Sequence, residues 1–206
     1  MDHRTHWEEV YRTRKPAEVS WFQASPEPSL SVIRTLGLRP EDPIIDIGAG
    51  ASALVDHLLD EGFTAVSCLD VSGAALDIAR ARLGPARSER VRWTVSDIAR
   101  WTPEPGAYAL WHDRAALHFL TSPPDRDAYR ERLNTAVRPG GYAVIAAFAP
   151  DGPTRCSGLS ILQQDPQRIA EITGPAFELL EHWTLPHLTP GGAEQLFAWF
   201  VLQRQD

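Results

Sequence analysis

Lysine is almost missing from this chain. Lys15 stands alone, and the remaining basic residues are arginines scattered along the sequence. With 27 acidic against 20 basic residues the formal charge is −7, so the massed cationic surface that phosphate backbones require is absent. Nucleic acid is therefore not expected as a partner. The arginine skew fits GC-rich bacterial coding more than it fits a function. Cysteine is equally scarce: Cys68 and Cys156 form no disulfide framework and no CxxC pattern, and with no ligand spacing around them no metal is expected. No early apolar run reads as a signal peptide and no stretch approaches membrane-spanning length. A cytoplasmic protein without a membrane partner is the expectation. Repeats and low-complexity linkers are lacking too.

What remains is ordinary soluble-domain material. The 206 residues, 43% hydrophobic and 23% charged, suffice for one domain with a sizeable core. The rest of the chain is arranged around 43–52, PIIDIGAGAS. Ile44, Ile45 and Ile47 form a short β-branched run suited to a strand covered on both faces. Gly48 and Gly50 allow a tight turn and close approach of a ligand. Ser52 can cap the following helix, whose N-terminus attracts a polar or anionic group. Strand, glycine turn and helix together read as a nucleotide-type site at a strand's carboxyl end.

Around this stretch the periodicity predicts alternating elements. Residues 3–14 form a helix with Trp7, Val10 and Tyr11 on one face, broken at Lys15-Pro16. Trp21 and Phe22 then fall in a loop, either as a flap or as a staple holding the arm to the core. A helix follows Ser25-Pro26 and ends near Gly37. Helices are predicted over 52–61, 72–83, 122–137 and 165–173, and strands over 63–69, 91–95, 108–111 and 142–148. Arg138-Pro139-Gly140-Gly141 ends the third of these helices. Alternation of strands and helices predicts a parallel sheet covered on both faces. The late strands 177–185 and 196–203 have only a turn-like link, so one of them should be antiparallel.

Four stretches, DIGAGAS at 46–52, LD at 69–70, SDI at 96–98 and RPGG at 138–141, resemble those of the class I, Rossmann-like S-adenosylmethionine (SAM) dependent methyltransferases, in the same order and over nearly the whole chain. The resemblance implies an α/β three-layer sandwich: a seven-stranded, mostly parallel sheet whose last strand is antiparallel. It also implies one methyltransferase domain over 1–206, made of an N-terminal arm or lid (1–40), a SAM-binding core (41–150) and an acceptor-side segment with the final hairpin (151–206). The cofactor is then SAM, with S-adenosylhomocysteine (SAH) as product. Its site would comprise Asp46, Gly48, Gly50, Ser52, Asp70, Val71, Asp97, Ile98 and His112. Asp46 would orient the loop or the ammonium group. Asp70 would accept from the ribose hydroxyls and Asp97 from the adenine amino group, with Ile98 on the ring face. A helix cap for Asp70 and a turn for Asp97 are the plainer alternatives. The loop departs from the dinucleotide G-x-G-x-x-G pattern, and from many methyltransferases in having Ser52 where a third glycine often stands. The Tyr-x-x-x-Lys pair of a short-chain oxidoreductase is excluded because Lys15 lies too far upstream.

The acceptor is less legible. The stretch 111–120, WHDRAALHFL, resembles thiopurine S-methyltransferase-like proteins. The opening HWEEVYRTRKPAEVSWFQ is similar to small bacterial methyltransferases and, more loosely, to the citrate synthase lysine methyltransferase branch. A small-molecule acceptor, thiol or amine, is favoured, with a protein lysine as an alternative and a non-catalytic SAM-binding protein as a third. Amine acceptors need a base, which nominates His112, with Asp113 orienting it or pairing with Arg114; otherwise His112 only shapes the rim. Trp21, Phe22, Arg114 and Cys156 are the acceptor-pocket candidates. His118, His182 and His187, beside apolar residues, read as satisfied structure. The oligomeric state leaves no trace in the sequence.

Overall fold

The computed structural model describes residues 3–205. In chain order the elements are α1 (His3–Thr13), α2 (Glu27–Thr35), β1 (Ile44–Ile47), α3 (Leu54–Asp60), β2 (Val66–Asp70), α4 (Gly73–Leu83), α5 (Pro85–Ser88), β3 (Val91–Val95) and β4 (Tyr108–Arg114). They continue with α6 (Pro123–Ala136), β5 (Val137–Phe148), β6 (Arg155–Cys156), β7 (Leu159–Ser160), α7 (Pro166–Thr173), β8 (Phe177–Leu188) and β9 (Glu194–Arg204). Seven strands form one sheet in the order β3-β2-β1-β4-β5-β9-β8. Strands β1 to β5 are parallel, and the last strand, β9, inserts antiparallel between β5 and β8. This is the Rossmann-like sandwich that the motifs imply.

The direction of strand order reverses beside β1, which has β2 on one side and β4 on the other. Such a switch point opens a crevice at the carboxyl ends of the strands. The core lies on both faces of the sheet. Ile44, Leu54, Leu58, Leu110 and Val144 pack on one face, and Ile45, Ile47, Trp111, Leu133 and Ile145 on the other. Each fully buried aliphatic side chain of this kind contributes about 1.5–3 kcal/mol relative to exposure. Among the described residues, no helix is long and apolar enough to cross a membrane.

Several boundaries differ from expectation, each for a tertiary reason. Strand β4 does not stop at Trp111. His112, Asp113 and Arg114 stay in the sheet, pairing with Val144, Ile145 and Ala146 of β5, while β1 pairs with the first two from the other side. Polar residues persist in a central strand because each finds a partner above or below the sheet. β5 begins at Val137, which pairs with Tyr108, and the register then shifts across Arg138–Gly141 before Tyr142 pairs with Leu110. RPGG is therefore an irregularity inside the strand as well as a helix end. α3 starts at Leu54 with Ala53 as its cap residue, so Ser52 stands one position early. The one-turn α5 and the β6–β7 hairpin carry too little periodicity to be seen in sequence.

Candidate functional site

The glycine turn after β1 is fixed by two close approaches. Gly48 and Gly50 have φ of 62° and 55°, where a Cβ is strained. A Cβ on Gly48 would lie 2.6 Å from Cβ of Ala116, and one on Gly50 would lie 2.4 Å from the Tyr11 hydroxyl. Ser52 Oγ accepts from the Leu54 amide (3.1 Å), closing the turn ahead of the cap. From α4, Arg82 donates to the carbonyls of Ala51 (2.8 Å) and Ser52 (2.7 Å) and pairs with Asp56. No sequence motif marks Arg82, since only the fold brings α4 against this loop.

Asp70, at the end of β2, holds the turn from the side. One oxygen accepts from the Gly50 amide and the other from the Ser72 amide, both at 2.8 Å. Burial pushes its carboxyl up to about 6, against the pull of those two amides. The cap of α4 is Ser72, whose Oγ accepts from Ala75. Asp97 accepts from the Ala99 amide (2.9 Å), so it does make the turn that its plainer reading describes. It also lines a cavity with Gly48, Asp70, Val71, Ser96 and Ile98. That cavity has about 790 Å³ of free space, part of it open to solvent.

Helix α1 lies over this cavity and is pinned to α4 by Glu8. Glu8 accepts from the Gly73 amide (3.0 Å), the Ala74 amide (3.1 Å) and the Ser72 hydroxyl (3.2 Å), occupying the N-terminus of α4. Burial pushes the Glu8 carboxyl up, but the amides of Ala74 and Gly73 outweigh it and hold it below its ordinary value. Trp7 packs edge-on against Trp21 and Phe119, with ring centres 5.4 and 5.0 Å away. The Trp21 indole donates to the Tyr11 hydroxyl (3.3 Å). Trp7, Tyr11 and Trp21 all line the cavity. The N-terminal aromatics thus staple the arm and wall the site at once. Glu8 and Tyr11 were not legible as site residues, because the α4 terminus and the glycine turn that they meet lie more than thirty positions away.

The end of β4 corrects the catalytic expectation. Successive strand residues point to opposite faces, so Asp113 does not orient His112. His112 is buried; its Nδ1 donates to Asp46 Oδ1 (2.7 Å) and its Nε2 pairs with Ser29 Oγ (2.9 Å). Both ring nitrogens are occupied, leaving neither for a substrate proton. Asp113 is fully buried on the other face, accepting from the amides of Ala116 and Leu117 and from the Tyr129 hydroxyl (2.9 Å). Burial pushes its carboxyl up to about 6. Nor does Asp113 pair with Arg114. Asp113 instead fixes the turn that carries Ala115, at φ 71°, and sets Ala116 against Gly48.

Arg114 reaches the cavity, together with Trp21 and Cys156. A second cavity, with about 1140 Å³ of free space including open solvent, is lined by Asp46, Gly48, Ser52, His112, Trp21, Phe22 and Arg114. Gly50, under Tyr11, lines neither, and Asp113 lies outside both. Burial pushes the Cys156 thiol up to about 11, although Ser20 and the Arg114 charge oppose it, so it stands protonated near neutral pH. His118 corrects another expectation. It is buried with neither ring nitrogen hydrogen-bonded, stacked on Phe148. His187 donates to the Ser20 carbonyl (2.8 Å), tying the arm to β8. No cluster able to hold a metal ion occurs among the described residues.

Residues 44–141 match the model of a methyltransferase domain. Over 125 residues the chain is 34% identical to a trans-aconitate 2-methyltransferase of Variovorax paradoxus, covering 60% of this chain and 44% of that protein. Over 154 residues it is 25% identical to an EEF1A lysine methyltransferase 2 of Danio rerio, covering 72% and 60%. Each of these relatives is thus spanned over less than two thirds of its length. In fold the chain is similar to a Burkholderia thailandensis 1,6-didemethyltoxoflavin-N1-methyltransferase solved with 1,6-didemethyltoxoflavin and SAH. The TM-score is 0.74 at 21% identity, covering 98% of this chain and 87% of that one.

Proposed function

We propose that this chain, which has the fold of the class I, Rossmann-like SAM-dependent methyltransferases and a matched methyltransferase domain, is a member of that family and transfers a methyl group from SAM to a small-molecule acceptor. One observation carries this reading. Gly48, Asp70, Asp97 and Ile98 line one cavity together with Trp21, Arg114 and Cys156. The residues present fit the cofactor. Each Asp70 oxygen accepts only one amide, which leaves acceptor capacity for ribose hydroxyls. Asp97 commits one oxygen to the Ala99 amide and keeps the other for an adenine amino group. When bound, SAM supplies a methyl group on a sulfonium, and its in-line displacement gains much of its rate from positioning.

The chain's part is then to orient and to exclude water. The Asp46–His112–Ser29 chain holds the floor beneath the glycine turn, and Trp7, Tyr11 and Trp21 wall the cavity from the arm side. With His112 and Asp113 committed elsewhere, neither serves as a base in this reading; His112 is a strut between β1, β4 and α2. The acceptor therefore arrives with its reactive lone pair available, or loses its proton to water. A protein lysine is the second reading, supported by the lysine-methyltransferase relative. Against it, a lysine ammonium would have to pass α1 and approach the Arg114 cation. A non-catalytic role is disfavoured because Trp21 and Phe22 line cavities without filling them, and Trp111 is turned into the core, donating to Tyr129 (2.9 Å).

Calorimetry with SAM, SAH and NAD, followed by incubation of labelled SAM with carboxylic acids, thiols, amines and cell extract, tests the proposal. SAH binding and label in a small-molecule fraction are the expected results. Tight NAD binding without SAH binding would overturn the cofactor assignment, and label confined to protein would overturn the acceptor class.

A further inference from the structure

Among the described residues Arg114 is a half-buried cation without a counter-ion. Its Nη1 donates to the Trp21 carbonyl (3.0 Å) and its Cζ lies 4.9 Å from the centre of the Phe197 ring. Its Nε is buried and has no hydrogen-bond partner. Among the described residues Arg114 makes no salt bridge, whereas Asp46, the acid whose charge it feels most, is spent on His112. His118 adds no second positive charge: burial and the Arg114 charge hold it neutral, with its pKa pushed down to about 3. Burial also pulls the Arg114 guanidinium down to about 10, against the field of Asp46, so it remains charged near neutral pH. An unpaired charge withdrawn even in part from water is costly. Folds rarely keep one without a use.

The surroundings say what would use it. Arg114 lines both cavities, and Trp21, Phe197 and Cys156 around it all lie outside the matched 44–141 domain. They come from the arm and the late segments, and β1 separates the β4 that carries Arg114 from Asp70 on β2 and Asp97 after β3. A guanidinium whose Nη1 is taken still has its Nε and Nη2 donors, a planar pair that matches a carboxylate. We propose that Arg114 is a specificity residue that receives the carboxylate of an anionic acceptor with an apolar body. This rests on the methyltransferase reading and narrows it from small molecules to carboxylic acids. The aromatic wall of Trp7, Trp21 and Phe119 accounts for the apolar body. The cofactor's own carboxylate has the same chemistry and is the rival source of the anion.

The test is binding, measured by calorimetry on SAH-saturated protein and repeated without SAH. The probes are phenylacetate, succinate and trans-aconitate, each against its uncharged amide. We expect at least one carboxylate to bind and its amide to bind more than about tenfold more weakly. Arg114→Gln should lose that carboxylate by a similar factor with SAH affinity unchanged, and Arg114→Lys should recover part of it. Should Arg114→Gln fail to fold, the wild-type comparison of acid with amide and the lysine variant still decide. A loss of SAH affinity in folded Arg114→Gln would give the guanidinium to the cofactor and overturn the proposal. So would carboxylates that do not bind, or that bind no better than amides. Wild-type protein that fails to bind SAH would instead remove the methyltransferase reading, while the titration without SAH still reports on Arg114.

Discussion

Asp46 and His112 face each other at paired positions of β1 and β4, joined by a 2.7 Å hydrogen bond beneath the glycine turn. Ser29 of α2 closes the chain on the far ring nitrogen. A buried histidine held at both nitrogens is a strut between two strands and a helix.

His112→Ala should therefore cost stability before it costs chemistry. Leaving Asp46 and Ser29 unpaired in the core predicts a loss of about 1–3 kcal/mol, read from denaturant unfolding. Turnover per folded molecule should stay close to that of the wild type. Unchanged stability with collapsed turnover would restore His112 as a base.

Asp70 predicts opposite pH trends for binding and for folding. Its folded carboxyl is raised to about 6, above its unfolded value. As pH falls through that range the folded state takes up a proton that the unfolded state does not, so protonation of Asp70 favours the fold. The same proton removes the acceptor that ribose hydroxyls need. SAH affinity should fall as pH drops from about 7.5 to about 5.5. Asp70→Asn should lower affinity by about 1–3 kcal/mol and abolish that slope, while Asp113→Asn, at a second carboxyl raised to about 6, should keep it. Calorimetry across the pH range decides, and a slope that persists in Asp70→Asn would misplace the ribose site.

Glu8 is the single polar latch of α1 on α4. Removing its three acceptor contacts in Glu8→Ala should cost about 1 kcal/mol, the scale of a lost helix cap. The loss should be local: faster amide exchange over α1 and faster SAH dissociation, with the sheet protected as before. Stopped-flow release of SAH and hydrogen exchange measure both. If exchange over α1 is unchanged, the contacts of His6, Trp7 and Tyr11 hold the helix without Glu8.

By itself the sequence determined the sheet, the turn and the acids. Ile44 to Ile47, Gly48 and Gly50, and the acids at the ends of β2 and β3 are local signals: a strand period, a φ only glycine favours, and short polar ends at fixed distances. These survive any arrangement of the remainder. The roles of His112, Asp113 and Arg114 were not local. Residues 108–111 look like the whole strand because His112, Asp113 and Arg114 are polar. Only the neighbours β1 and β5 keep these three in the sheet, sending His112 to Asp46 and Asp113 to Tyr129 on opposite faces. Tertiary structure likewise decided that Tyr11, by its closeness to Gly50, walls the site, and that Glu8, by capping a helix 64–66 positions away, holds α1 there. The glycine turn itself is legible because the constraint on it is backbone geometry. What closes over it is set by packing between segments distant in the chain, which no local pattern encodes.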